Sequence, residues 1–308
     1  MRRIHIVDKG YELGAETKLF LKQEGFIPCY DQKLLIVKGD IVFGRWGLSK
    51  LNKTNPTMLD GVAIGCPMTN TAHLASHITK SPLFVKLNPS DATLKKVRSS
   101  SEYTFLLTLM AIKSVIDLSL AENSVKLFNR TEQWISTSHT MLEFKDAVVS
   151  FVGMGRNGQI TASMLEAIGC TCRYYDPFID LKLSHRRAVE TLSEVFMDTD
   201  CVVLTLTSSD KTRNLINFDE LTSRSANLSI INTSRPEVIE ENSLYRALCE
   251  KRVKRYLSDF PLIDKDLMAL VEADNSIKSR FFWSNHIGGA SKRSALIADD
   301  IVIKAVLR

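Results

Sequence analysis

At 308 residues, with 44% apolar composition and a net charge of +5, the chain is long enough for two ordinary domains, each with its own core. The basic clusters Arg186-Arg187, Lys251-Arg252 with Lys254-Arg255, and Lys292-Arg293 lack interleaved aromatics and read as solvated helix surface, which argues against a nucleic-acid face. No apolar run reaches bilayer length, the charged start reads as a first strand and not a leader, and the six cysteines include no C-x-x-C pair, so the expectation is a cytoplasmic protein with reduced thiols, no metal site and no membrane anchor.

The first 95 residues alternate strand and helix signals. Residues 4–7 read as a strand, 12–24 as a helix stopped by Gly25, 33–38 and 40–43 as strand-like pieces, and 61–66 as an apolar strand ending at Pro67. Alternation of this kind predicts a parallel sheet flanked by helices. With no glycine fingerprint of its own, this half is the candidate substrate-side domain, set against a nucleotide domain with a cleft between them. Within it, the loop 67–73 follows a strand and opens a helix, so the backbone around Asn70 and Thr71 is a candidate carboxylate receiver. Arg45, just past the strand 41–43, is a candidate substrate cation and, with nearby lysines, the one hint of a phosphate site. His73 reads as a helix-start residue and His5 as strand core or edge.

Asn88-Pro89-Ser90 closes that half, and residues 93–120 begin a long helical stretch. Ser99, Ser100, Ser101 and Glu102 supply capping chemistry, after which apolar residues surround most of the helix. Such a helix needs covering on several sides, and a homodimer formed through residues 101–117 would cover it.

The stretch 146–177 carries the strongest motif. Residues 147–152 form an apolar, β-branched run and then Gly153, Gly155 and Gly158 spell G-x-G-x-x-G, with Arg156 and Asn157 inside the turn. Ile160, Met164, Leu165 and Ile168 share one helical face until Gly169 closes it, and the strand 171–175 ends at Asp176, 18 positions past Gly158. In a dinucleotide-binding unit the first glycine permits the turn, the second lets a pyrophosphate approach the backbone, and the third lets helix and strand pack closely. Asp176 would accept hydrogen bonds from an adenosine ribose and repel a 2′-phosphate, favouring NAD over NADP, with Arg173 nearby as the contrary signal.

Further strands at 201–206, 228–233, 253–257 and 281–283 each run into a polar loop. They bring Arg235, two acids and His286 to strand ends, where an open parallel sheet binds its ligands.

These residues carry a family likeness. V-G-M-G-R-N-G (152–158), Y-D-P (175–177), T-R-N-L-I-N (212–217), I-N-T-S-R-P-E-V-I-E-E-N-S-L-Y-R-A-L (231–248), S-D-F-P (258–261) and N-H-I-G-G-A (285–290) together resemble the D-2-hydroxyacid dehydrogenase family, and the ending resembles its short D-3-phosphoglycerate dehydrogenases without a regulatory tail. The likeness covers residues 95–308 well and the first 90 loosely, chiefly at Cys66-Pro67-Met68-Thr69. It implies two Rossmann/flavodoxin-like domains, residues 1–95 with 287–308 binding substrate and residues 96–286 binding NAD, with the active site in the cleft between them. It further implies a catalytic triad in which Arg235 holds the substrate carboxylate, His286 moves the proton, and an acid, here Asp264 in place of the usual glutamate, pairs with the histidine and raises its pKa. On the cofactor side it implies Gly153, Gly155, Arg156, Asn157, Gly158, Asp176, Thr205, Thr207, Thr212, Thr233 and Asp259, the last meeting the nicotinamide carboxamide. The substrate would be a 2-hydroxy or 2-keto acid: 3-phosphoglycerate, glycerate, a glyoxylate-like acid or something larger. Departures accompany the likeness. Thr205 and Thr207 stand where other members have His and Pro, Pro236 replaces a glycine, Asn285 replaces a proline, and Asp264 is one methylene short. They keep a second reading open, that of an NAD(H)-binding scaffold that turns over little.

Overall fold

The computed structural model describes residues 2–30, 36–68, 71–88, 91–114, 141–179, 186–223 and 228–308. It divides into two compact units, residues 1–97 with 291–308, and residues 98–290.

The first unit is a parallel sheet of five strands, β1 (Arg2–Ile6), β2 (Phe26–Cys29), β3 (Ile41–Phe43), β4 (Ala63–Cys66) and β5 (Phe84–Lys86), in the order β2-β1-β3-β4-β5. Helices α1 (Ala15–Gln23) and α2 (Ser76–Thr79) and several 3-10 turns connect the strands. Two apolar clusters cover its faces, one around Ile4, Ile6, Leu21 and Phe43, the other around Val42, Leu48, Ile64 and Ile78. The expected piece at 33–38 lies partly outside the described residues. Strands β2 and β5 have no counterpart in the sequence reading, because Pro28 and the Ser81-Pro82 turn interrupt the period that would announce them.

The second unit begins with α3 (Ser99–Ile112), followed by a seven-stranded parallel sheet: β6 (Val148–Val152), α4 (Arg156–Ala167), β7 (Thr171–Tyr175), β8 (Arg187–Ala188), α5 (Leu192–Phe196), β9 (Cys201–Leu204), α6 (Phe218–Thr222), β10 (Leu228–Asn232), α7 (Glu241–Cys249), β11 (Val253–Ser258), α8 (Lys265–Ala273), α9 (Asn275–Lys278) and β12 (Phe281–Trp283). The strand order is β12-β11-β10-β9-β6-β7-β8. Because successive side chains alternate, Val202, Leu204, Ile230 and Tyr256 join one cluster with α5 to α9, while Cys201, Val203, Ile231 and Leu257 join another with α3 and α4. The order reverses between β6 and β9, and the glycine turn leaves the sheet there.

The last helix, α10 (Lys292–Val306), belongs to the first unit. It lies on β4 so closely that a Cβ on Gly65 would stand 3.1 Å from Val306 and 3.3 Å from Val302. Among the described residues no helix is long and apolar enough to cross a membrane, and all six cysteines are free.

Candidate active site

The glycine turn is held from three directions. Gly153 adopts φ +90°, and its amide donates to the Tyr175 carbonyl at 2.9 Å. The Met154 amide donates to Oδ2 of Asp176 (2.8 Å), whose Oδ1 accepts from Phe178 N–H (3.0 Å). Thr205 Oγ1 donates to the Gly153 carbonyl at 2.7 Å, tying the turn to the end of β9. A Cβ on Gly158 would stand 2.7 Å from the Gly153 carbonyl oxygen and 2.9 Å from Thr205 Oγ1, so the third glycine is required by packing alone. Gly155 differs. Its φ of −66° suits any residue, and a Cβ there would meet none of the described residues within 4 Å. It is also the N-cap of α4 with no side chain capping the helix, so the first-turn N–H groups around Arg156 and Asn157 retain their donors and the positive end of the helix dipole. Asn157 Oδ1 accepts from Ser101 Oγ at 3.4 Å.

Arg173, the residue that would favour a 2′-phosphate, is only 9% exposed and its Nε donates to Ser150 Oγ at 2.8 Å, inside the packed sheet. The contrary signal for NADP is thereby removed from the mouth of the turn.

At the ends of β10, β11 and β12, Arg235, Phe260 and His286 gather. The Arg235 guanidinium lies 5.8 Å from the centroid of the Phe260 ring, and the His286 ring packs against the same phenyl at 4.7 Å. Asn232, fully buried at the end of β10, closes the Arg235 loop: its Nδ2 donates to the Arg235 carbonyl (3.0 Å) and to Tyr256 Oη (3.1 Å), and its Oδ1 accepts from Ser234 N–H (3.1 Å). Ser234 Oγ in turn accepts from Leu206 N–H, joining this loop to that of β9.

His286 sits at φ +56°, a left-handed conformation that a non-glycine residue holds only when its surroundings impose it. Its own N–H donates to the Asp259 carbonyl at 2.8 Å. The Asp259 side chain, 4% exposed, accepts from Ser284 Oγ (2.7 Å), Ile287 N–H (2.8 Å) and Gly288 N–H (2.9 Å). The imidazole keeps an exposed edge. Desolvation by the protein around it, reinforced by the Arg235 charge and opposed by Asp259, holds its pKa below the ordinary 6.5.

Asp264, the acid of the expected triad, makes local contacts. Asp264 is the N-cap of α8: its Oδ1 accepts from Asp266 N–H (2.9 Å) and Leu267 N–H (3.1 Å), while its own N–H is held by Glu241. Among the described residues no hydrogen bond or ion pair joins it to His286, and the histidine's pKa is lowered where a paired acid would raise it. The physical reason is local. An aspartate at the start of a helix satisfies two free amides, and that use competes with reaching a neighbouring loop.

The threonines expected on the cofactor side serve the frame. Thr212 Oγ1 donates to the Thr207 carbonyl (2.7 Å) and accepts from Ser209 N–H, shaping that turn, and Thr233 Oγ1 pairs with Thr104 Oγ1 at 2.8 Å. In the first unit, Arg45 Nη2 donates to the buried Asp299 carboxylate (2.6 Å) and to the Ala295 carbonyl (3.2 Å), and the guanidinium lies 4.8 Å from the Tyr11 centroid. One arm of the expected substrate cation is therefore engaged within its own unit, and its buried Nη1 has no hydrogen-bond partner among the described residues. Thr71 is half-buried, with its carbonyl accepting from Leu74 N–H. Asn70 lies outside the described residues.

Residues 110–277 match the model of the family described as D-isomer specific 2-hydroxyacid dehydrogenase, NAD binding domain. The chain belongs to this family. The D-3-phosphoglycerate dehydrogenase of Methanocaldococcus jannaschii is 27% identical over 315 residues, covering 99% of this chain and 55% of that protein, so the chain spans about half the length of that relative. C-terminal-binding protein 1 of Caenorhabditis elegans is 34% identical over 114 residues, 36% of this chain and 16% of that relative. The crystal structure of apo D-mandelate dehydrogenase from Rhodotorula graminis has the same fold, with a TM-score of 0.75 at 16% identity over 98% of this chain and 92% of that one.

The glycine turn fits the dinucleotide that this family binds. Two of the three glycines answer to contacts within the chain, and only Gly155 answers to none, leaving a cradle that a Cβ would fill beside uncapped amides. The candidate site also contains residues with weaker signals in the sequence. Phe260 was read only as part of a strand end. Asn232 had a signal, a polar residue at the end of an otherwise apolar strand. Tyr103 and Ser284 had none, since both look like ordinary members of a helix and a loop.

Proposed function

We propose that this chain is an NAD-dependent oxidoreductase that interconverts a D-2-hydroxy acid and its 2-keto acid. The observation that carries the reading is that Arg235 and His286, 51 positions apart in sequence (286 − 235), meet on one Phe260 ring within the unit that holds the glycine turn. Bound NAD supplies or takes the hydride. The planar fork of Arg235 holds the substrate carboxylate and polarises the carbonyl oxygen. The His286 imidazole takes the hydroxyl proton in oxidation and returns one in reduction. Asp176 accepts from the adenosine ribose. Residues 98–290 form the NAD-binding domain, and residues 1–97 with 291–308 form the substrate-side domain. A 2-hydroxy acid such as 3-phosphoglycerate is the substrate class, supported by the name of the Methanocaldococcus relative.

The assembly we propose is a homodimer through α3, where Leu106 is 49% exposed, and the compartment is the cytoplasm, in keeping with six free thiols.

The test is NADH consumption across a panel of 2-keto acids. Arg235→Ala and His286→Ala should each lower kcat/KM at least a hundredfold, and near-full activity in either removes the assigned roles. One observation favours a second reading, an NAD(H)-responsive scaffold: Asp264 is engaged as a helix cap. NADH binding by fluorescence with no turnover across the panel would select it.

A further inference from the structure

The first unit has a reversal of its own. In the order β2-β1-β3-β4-β5 the chain passes from β1 to one side and then, at β3, to the other, and open parallel sheets take ligands outside the carboxyl ends of their strands at such a point. A cavity lies there, about 470 Å³ with its open mouth included. Residues 6–12, running on from β1, form most of its wall; Tyr30 joins from the end of β2 and Lys50 from the 3-10 turn after β3. All of them belong to the first unit, and the volume lies in the range of small-molecule sites, about 300–1,000 Å³.

The wall is preformed. Asp8 Oδ2 accepts from Arg45 N–H (2.5 Å) and Oδ1 from Gly47 N–H (2.6 Å), which pins the loop after β3 to the end of β1. The segments approach so closely that a Cβ on Gly47 would overlap the Val7 carbonyl. The Asp8 carbonyl accepts from Tyr11 N–H at 3.3 Å, closing a turn in which Gly10 takes φ +73°. A Cβ on Gly10 would meet none of the described residues within 4 Å, so the space beside this turn is open.

The polar groups around that space are mostly unspent donors. The two carboxylates are already used, Asp8 by the two amides and Glu12 by Lys18 Nζ at 2.9 Å. Tyr11 gives its O–H to the buried Asp299 carboxylate. By contrast, among the described residues the Lys9 ammonium has no hydrogen-bond or ion-pair partner. Lys50 Nζ makes one bond, to the Val7 carbonyl at 3.3 Å, and Tyr30 Oη accepts from Leu13 N–H at 3.4 Å while its own proton stays uncommitted. Arg45, grouped with nearby lysines in the sequence, is not part of this wall. Ammonium groups are point charges suited to tetrahedral phosphate, whereas a planar carboxylate is matched best by a guanidinium fork.

We propose that the cavity at the β1–β3 reversal is a second ligand site, taking a small phosphate monoester whose phosphoryl oxygens accept from Lys9, Lys50 and the Tyr30 hydroxyl. The cavity exceeds a phosphoryl group, and the organic part of the ester fills the rest.

The site can be followed by 19F NMR of protein labelled with 3-fluorotyrosine, the Tyr30 signal assigned by its loss in Tyr30→Phe. Titration with glycerol 3-phosphate, at an ionic strength held constant with chloride, should move that signal saturably with a Kd of about 1 mM or tighter. Inorganic phosphate should bind about threefold or more weakly, lacking the organic contacts. Lys9→Gln and Lys50→Gln should each weaken glycerol 3-phosphate binding about fivefold or more. Arg235→Ala, which shares no residue with this cavity, should leave it within about twofold of wild type. The readout needs neither NAD nor turnover, so its failure is distinguishable from failure of the dehydrogenase reading. A shift that is still linear at about 20 mM, wild-type affinity in either lysine variant, or loss of the shift in Arg235→Ala overturns the site, and equal affinity for inorganic phosphate overturns the ester.

Discussion

Gly155 and Gly158 make opposite predictions under the same substitution. In Gly158→Ala the new methyl would stand 2.7 Å from the Gly153 carbonyl oxygen and 2.9 Å from Thr205 Oγ1. Thr205 can rotate, but the carbonyl is backbone and is already pinned, because Gly153 N–H is bonded to Tyr175. The helix must therefore shift from the turn, an overpacking cost of about 1–3 kcal/mol, which lowers the Tm of a domain this size by roughly 2–12 °C. In Gly155→Ala the methyl meets none of the described residues within 4 Å and the backbone is already at φ −66°. Alanine is the poorer N-cap, but it restricts the unfolded chain, so the two effects offset to within about 1 kcal/mol. What it occupies is the space beside the uncapped helix amides, and NADH should bind at least tenfold more weakly, a loss of about 1.4 kcal/mol or more. Thermal unfolding by circular dichroism and titration of NADH fluorescence measure the pair. Wild-type NADH affinity in Gly155→Ala would refute the assignment of that space to the pyrophosphate, and an unchanged Tm in Gly158→Ala would refute the packing argument.

Other consequences concern charge. Because desolvation and Arg235 hold the His286 pKa below 6.5, the acid limb of kcat/KM for hydroxy-acid oxidation should be centred below pH 6.5; an acid limb centred above 6.5 contradicts this. The same depression means that the unfolded chain binds the proton first, so this group's contribution to stability is present above pH 6.5 and is lost as pH falls through the lower folded value, measurable as a falling Tm. Asp176→Ala removes the acceptor of Met154 N–H and the carboxylate that would repel a 2′-phosphate; the preference for NADH over NADPH should drop at least tenfold in paired fluorescence titrations. Asp299→Ala strands the Arg45 guanidinium, which is 19% exposed, without its fully buried partner. The cost should be about 3–5 kcal/mol, visible in denaturant unfolding, and a cost below about 1 kcal/mol would mean that Arg45 does not depend on Asp299 in the folded chain.

Two ends of α3 illustrate why some features are readable in sequence and others are not. Its start is only partly local: the helix begins at Ser99 with Arg98 at the N-cap and no side chain capping it, so the serines and Glu102 expected to cap it lie in its first turn. Its end is not. The reading carried the helix to residue 120, partly outside the described residues, yet α3 closes at Ile112. There the guanidinium of Arg255, 1% exposed on β11, donates to the Ala111 carbonyl and to Ser114 Oγ, 144 and 141 positions away in sequence. An arginine in a strand gives no sign that it will meet the end of a distant helix.

The same division runs through the site. The strand 171–175, the glycine turn and the helix after it were legible from local composition and spacing, although the turn is also tied to Asp176 and Thr205, 22 and 52 positions away from their partners. The gathering of strand ends followed from the parallel alternation, which sends every polar loop to one edge of the sheet. Which acid touches which partner was decided only in three dimensions. Asp259 and Asp264 lie five positions apart (264 − 259) on one stretch, and nothing in their spacing tells a clamp beneath His286 from a cap on α8. Arg45 likewise looked free for substrate until Asp299, 254 positions on, was seen against it. Hydrogen bonds and ion pairs act over a few ångströms, and sequence reports such distances only within a turn of the chain; beyond that, packing of the sheets assigns the partners.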